Sequence, residues 1–149
     1  TKINKIIPIN LKTENILFVC RFNRTRSRIA AAYFNKINKN KKFKAKSAGL
    51  FKGSPVSKED FNLAKKFGIN IKGRVKAISS KLLAWQTMTI VVADDVPTVI
   101  FNRNIKYGGM NLKIFKIKDT QYQKDPDNLV KDIIKNVDNL IIKLEKKIK

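Results

Sequence analysis

The four consecutive apolar residues Ile16-Leu17-Phe18-Val19 follow polar Thr13-Glu14-Asn15 and show no alternation, the pattern of a strand covered on both faces. Such a strand needs helices above and below it. The rest of the chain supplies them, because short β-branched or apolar runs alternate with amphipathic segments in the manner of an α/β fold. With 149 residues, 43% of them hydrophobic, the chain is the size of one domain, spanning 1–149, around one core.

Cys20 ends the first strand, and Ile29, Ala30, Tyr33, Phe34 and Ile37 recur at helical spacing from Ser27 onward. A second short strand is expected where Phe43 and Ala45 alternate with lysines. Ser57 caps a second helix that buries Phe61, Leu63, Ala64 and Phe67 and stops at Gly68. Ser79 or Ser80 starts a short helix to Trp85, a buried strand runs from Met88 to Ala93, and Pro97 opens a helix to about Asn102. Gly108-Gly109 breaks the chain before a strand over Leu112 to Ile117. Asp125-Pro126 is the start of a long final helix whose apolar stripe runs from Leu129 to Ile148.

Lysine and arginine total 33 against 11 acidic residues, a net charge of +22, so an anionic ligand is expected. The excess is 27 Lys and only 6 Arg beside 15 Asn, a composition that an AT-rich genome would impose, and non-specific nucleic-acid contact follows from such charge alone. Four of the six arginines, Arg21, Arg24, Arg26 and Arg28, fall directly after Cys20. Histidine is absent, which excludes imidazole bases and His-ligated metals and leaves proton transfer to carboxylates. A single cysteine excludes an internal disulfide and suits a reducing, cytoplasmic compartment. The opening TKINKIIPIN does not read as a signal peptide, and no apolar run approaches the roughly 20 residues of a membrane span. No metal or cofactor is expected.

Cys20, Asp94-Asp95 and Asp119 each stand at or just beyond the C-terminal end of an expected strand, where open parallel sheets gather their active sites. The segment Cys20-Arg21-Phe22-Asn23-Arg24-Thr25-Arg26-Ser27 joins strand to helix with the spacing Cys, five residues, Arg, Ser. A loop that short can curl its amides around a tetrahedral oxyanion, with the helix N-terminus adding positive potential and Arg26 a two-pronged clamp. The same groups stabilise a thiolate and make Cys20 a nucleophile.

With these residues in view, ILFVCRFNRTRS, Ser47-Ala48-Gly49, Phe67-Gly68-Ile69-Asn70-Ile71 and Val91-Val92-Ala93-Asp94-Asp95 together resemble the low-molecular-weight protein tyrosine phosphatases, from about Asn15 to Leu144. The resemblance implies a three-layer sandwich with a central four-stranded parallel sheet, helices on both faces and a phosphate-binding loop after the first strand. It implies further that Ser27 supports the thiolate, that Asn23 holds the loop in an unusual backbone conformation, a task for which Asn tolerates positive φ, and that Ser47 braces Asn23. Asp94 is a second expected loop support. Phe22 stands where the family has Gly, Thr25 replaces its second loop cysteine, and Arg28 replaces the Pro after Arg-Ser. The family's Asp-Pro-aromatic acid segment is not reproduced at its usual spacing.

The expected activity is phosphomonoester hydrolysis through a cysteinyl-phosphate, on a phosphorylated protein or a small aryl phosphate. Asp119 is the preferred general acid, with Tyr122 three residues on. Asp125 competes through its following Pro126, although capping the last helix already explains that pair. Phe51 and Tyr122 are the expected aromatic walls. The alternatives are arsenate reduction with an external thiol and a non-catalytic module that binds phosphorylated partners, inorganic phosphate or another oxyanion occupying the loop in every case.

Overall fold

The computed structural model describes residues 13–71, 73–97, 99–102 and 111–147. The TKINKIIPIN segment, the Gly108-Gly109 break and Ile148 lie outside the described residues. Four strands, β1 (Glu14–Cys20), β2 (Phe43–Gly49), β3 (Met88–Val92) and β4 (Leu112–Phe115), pair in parallel in the order β2-β1-β3-β4. The central position of β1 explains its sequence, since Ile16, Leu17, Phe18 and Val19 are wholly buried, their side chains shared between two cores.

On one face lie α1 (Arg26–Ile37), α2 (Lys58–Lys66) and α5 (Pro126–Lys147), which pack Ile29, Phe34, Leu63, Leu129 and Ile133 against Ile16, Phe18 and Ile90. On the other, α3 (Ser80–Trp85) and α4 (Val99–Asn102) cover Leu17, Val19 and Val91 with Leu82, Leu83 and Phe101. Ser57 accepts from Asp60 N and Ser79 from Leu82 N, both at 3.1 Å, so the serines are the caps that the sequence suggests, each contributing about 1 kcal/mol. Gly68 takes φ 74° after α2, the left-handed conformation of a helix stop. Tyr33 donates to Asp138 at 2.7 Å and staples α1 to α5. Burial and that carboxylate push its phenol up to about 12.

Three local expectations differ. Phe61 is exposed, because about 200° of helix separates it from Leu63 and turns it off the stripe that Leu63, Ala64 and Phe67 share. Strand β4 closes at Phe115, although Ile117 beyond it is still buried. A short 3₁₀ turn, Thr120–Tyr122, follows, its first amide accepted by Asp119 Oδ1 at 2.8 Å. The free edge of β2 is blunted, since Asn35 from α1 both donates to and accepts from the backbone of Ala45 at 3.0 and 3.1 Å.

Candidate active site

The chain leaves β1 at Cys20 and must reach the first turn of α1 in five residues. Thr25 is the cap residue of α1, yet its hydroxyl donates to Asp60 Oδ2 at 2.8 Å and caps nothing. Helix N-terminal amides lack intrahelical acceptors, and among the described residues the backbone amides of 21–25 donate no hydrogen bond. They are left to an external anion.

The loop carbonyls, by contrast, are pinned. Leu50 N, Phe51 N and Gly53 N donate to the carbonyls of Cys20, Arg21 and Phe22 at 2.9, 2.9 and 3.2 Å, so the chain after β2 runs beside the loop. Gly49 permits the approach: a Cβ there would lie 2.5 Å from Phe51 O and 2.6 Å from Asn23 N. Gly49→Ala is expected to lower stability by about 1–3 kcal/mol, the range of overpacked sites, and to weaken phosphate binding. Thermal melting with and without phosphate measures both effects.

Asn23 sits at φ 57° and is fully buried. Its Nδ2 donates to Ser27 Oγ at 2.9 Å and to Ser47 Oγ at 3.0 Å, while Oδ1 accepts from Lys76 N at 3.0 Å and Arg28 Nη1 at 3.1 Å. Both Oδ1 partners can only donate, which fixes the orientation of the amide. Ser27 Oγ, which accepts from Asn23, also shares a hydrogen bond with Cys20 Sγ, 3.0 Å away. The network therefore runs from the buried Asn23 amide through Ser27 to the Cys20 sulfur.

Arg26 is almost wholly buried, with Nη1 donating to Ile117 O at 2.8 Å and Nη2 3.0 Å from Asp95 Oδ1. Asp94 and Asp119 stand farther off, at 3.9 Å from Nη1 and 4.0 Å from Nε. The acid nearest the clamp is thus Asp95 rather than Asp94. Sequence alone could not separate two adjacent carboxylates whose side chains leave a strand end in different directions.

Cys20, Phe22, Arg24, Thr25, Arg26, Asp60, Asp119, Thr120 and Gln121 line one cavity of about 130 Å³. Asp125 is absent from that lining: it borders a neighbouring groove and accepts from Asp127 N at 3.0 Å, as a helix cap does. Tyr122 is exposed and does not line the cavity, whereas Phe51 stands 6.1 Å from the Phe22 ring, and Phe22 does line it. Arg21 lies over Phe22, 5.4 Å from the ring centre. Among the described residues no three His, Cys, Asp or Glu side chains are placed to hold a metal ion.

Two residues were not assigned a role from sequence. Arg28, buried beneath the loop, donates to the carbonyls of Arg74 and Gly73 as well as to Asn23, and burial lowers its guanidinium pKa while the nearby Cys20 charge opposes that shift. Its signal was the crowding of arginines after Cys20. Asp60 meets Thr25 across 35 residues, a separation at which no local pattern marks the pair.

A parallel α/β sheet with a cysteine and an arginine lining one cavity at the loop after its first strand is the frame of this candidate site. A sequence profile described as low molecular weight phosphotyrosine protein phosphatase matches residues 15–149. The chain belongs to that family of hydrolases. A search of curated protein sequences returned no match. Among solved structures, the YwlE arginine phosphatase from Geobacillus stearothermophilus is 22% identical with a TM-score of 0.77, covering 90% of this chain and 94% of its own. A low molecular weight protein tyrosine phosphatase from T. tengcongensis is 26% identical with a TM-score of 0.65, covering 91% and 99%. An arsenate reductase from Archaeoglobus fulgidus is 21% identical with a TM-score of 0.65, covering 85% and 98%. Among the described residues no helix is long and apolar enough to cross a membrane.

Proposed function

We propose that the protein is a cysteine-dependent phosphomonoester hydrolase acting on aryl phosphates, phosphotyrosine in proteins foremost, in the cytoplasm. The observation that carries this reading is that Cys20, Arg26 and Asp119 line a single small cavity floored by unpaired amides. In the first step the Cys20 thiolate attacks phosphorus, the S–P bond forms and the ester O–P bond breaks. Arg26 and the amides of 21–26 hold the non-bridging oxygens, where charge develops. Asp119, protonated, delivers its proton to the departing oxygen. In the second step the Asp119 carboxylate takes a proton from water, whose oxygen attacks phosphorus. The S–P bond breaks, and phosphate and the thiolate are released. Ser27 and Asn23 hold the loop and sulfur throughout, with Ser47 behind them.

An aromatic leaving group is favoured because Phe22 lines the cavity, with the tilted Phe51 ring, outside the lining, 6.1 Å from the Phe22 ring. Hydrolysis of a generic aryl phosphate and of a phosphotyrosine peptide is expected, with phosphoarginine at least about tenfold slower in kcat/KM. Faster turnover of phosphoarginine would reassign the substrate class. Thiol-dependent arsenate reduction without any ester hydrolysis would replace the reaction, and tight phosphopeptide binding without turnover would make the protein a binding module.

A further inference from the structure

Asn23 carries the loop, and three of the groups that hold it belong to Ser47, Lys76 and Arg28. Those same three residues line a separate cavity of about 240 Å³ beside the edge strand β2, and none of its lining residues is shared with the Cys20 cavity. Among the described residues its charged lining is Arg28, Lys46 and Lys76, with no carboxylate. The contrast with Arg26, faced by three carboxylates, is sharp.

Cations on a protein of this charge are ordinarily dispersed and solvated. Here each is tied to the fold beside the same cavity. The backbone of Lys76 is tied to Asn23, Lys46 Nζ is held 4.6 Å over the Trp85 ring, and Arg28 is anchored by the carbonyls of Gly73 and Arg74. Burial, then the charges of Lys46 and Arg28, lower the Lys76 ammonium from its usual range. The cavity is larger than the one that admits a single phosphoryl group, and Ser47 adds a hydroxyl to its wall.

We infer that the cavity formed by Arg28, Lys46, Ser47 and Lys76 is a second anion site for a small molecule carrying two or more linked phosphoryl groups, and that filling it firms the catalytic loop. The anion offsets the repulsion between Arg28 and Lys76, whose guanidinium and backbone amide both hold Asn23. The loop amides then fluctuate less. This coupling does not depend on the chemistry proposed for Cys20.

The test uses the full chain with Cys20 capped by iodoacetamide, which fills the catalytic cavity, and pyrophosphate as the probe. Calorimetry is expected to give one equivalent bound, with affinity at least about tenfold lower for orthophosphate and for the K46Q/K76Q double variant, whose changed side chains are exposed. Hydrogen exchange of the 21–25 amides is expected to slow when pyrophosphate binds to the capped protein. Absence of binding to the capped protein, equal affinity in the double variant, equal affinity for orthophosphate, or unchanged exchange in the loop would each overturn the proposal.

Discussion

Cys20→Ser is expected to lower turnover of an aryl phosphate by about 10⁴-fold or more, the scale on which loss of a nucleophile acts. The hydroxyl is too weakly acidic to ionise beside Ser27, so the positions of Arg26 and the loop amides survive while the attacking charge is lost. Phosphate binding and the melting temperature should therefore stay near those of the parent protein. The replacement is small, and Sγ makes one hydrogen bond, 3.0 Å to Ser27. Near-parent hydrolysis by the variant would remove Cys20 from the chemistry.

Asp119→Asn is expected to cost roughly 100-fold or more for a substrate with a poor leaving group, and less for an activated ester whose departure needs little protonation. Asp119 is placed for this by its own turn. One carboxylate oxygen caps Thr120 N at 2.8 Å, which fixes the side chain at the cavity wall and leaves the other oxygen for the ester. Asn can still accept from Thr120 N, so the loss is one of proton transfer and not of folding. Asp125→Asn should change turnover little, because Asn caps a helix nearly as well. The opposite ranking of the two variants would move the acid to Asp125.

The parts of this site that are legible in the sequence are those decided within a few residues. Cys20, Arg26 and Ser27 belong to one strand-loop-helix unit, and a buried strand followed by a short loop and a helix leaves little choice about where they meet. The caps Ser57, Ser79 and Asp125 are equally local, since each serves an amide two or three positions away. Arg28 shows in the sequence only as one of the arginines crowded after Cys20 and as a departure from a family pattern. Its partners Gly73 and Arg74 lie 45 and 46 residues away, and a buried guanidinium cannot be told from a surface one by its neighbours in sequence. Asp60 and Lys76 are alike in this respect. Their roles depend on where α2 and the segment after Ile71 come to rest against the loop, which is fixed by packing on the sheet.

The charge of the protein took on meaning only with the fold. In the sequence, +22 is a compositional bias with no address. In the structure, three carboxylates stand within 4.0 Å of Arg26, whereas Arg28, Lys46 and Lys76 share a cavity that, among the described residues, no carboxylate lines. Charge distribution, more than net charge, distinguishes a site from a solvated face.

The most direct measurement is to quench the protein in acid during its first turnover of an aryl phosphate and map the modified residue by mass spectrometry. The mechanism predicts one phosphoryl group on the peptide that carries Cys20, attached to sulfur, and accumulating further in Asp119→Asn when the ester is activated, because water then attacks phosphorus without a base to take its proton. Full turnover of the ester with Cys20 unmodified at every time point would contradict a cysteinyl-phosphate route.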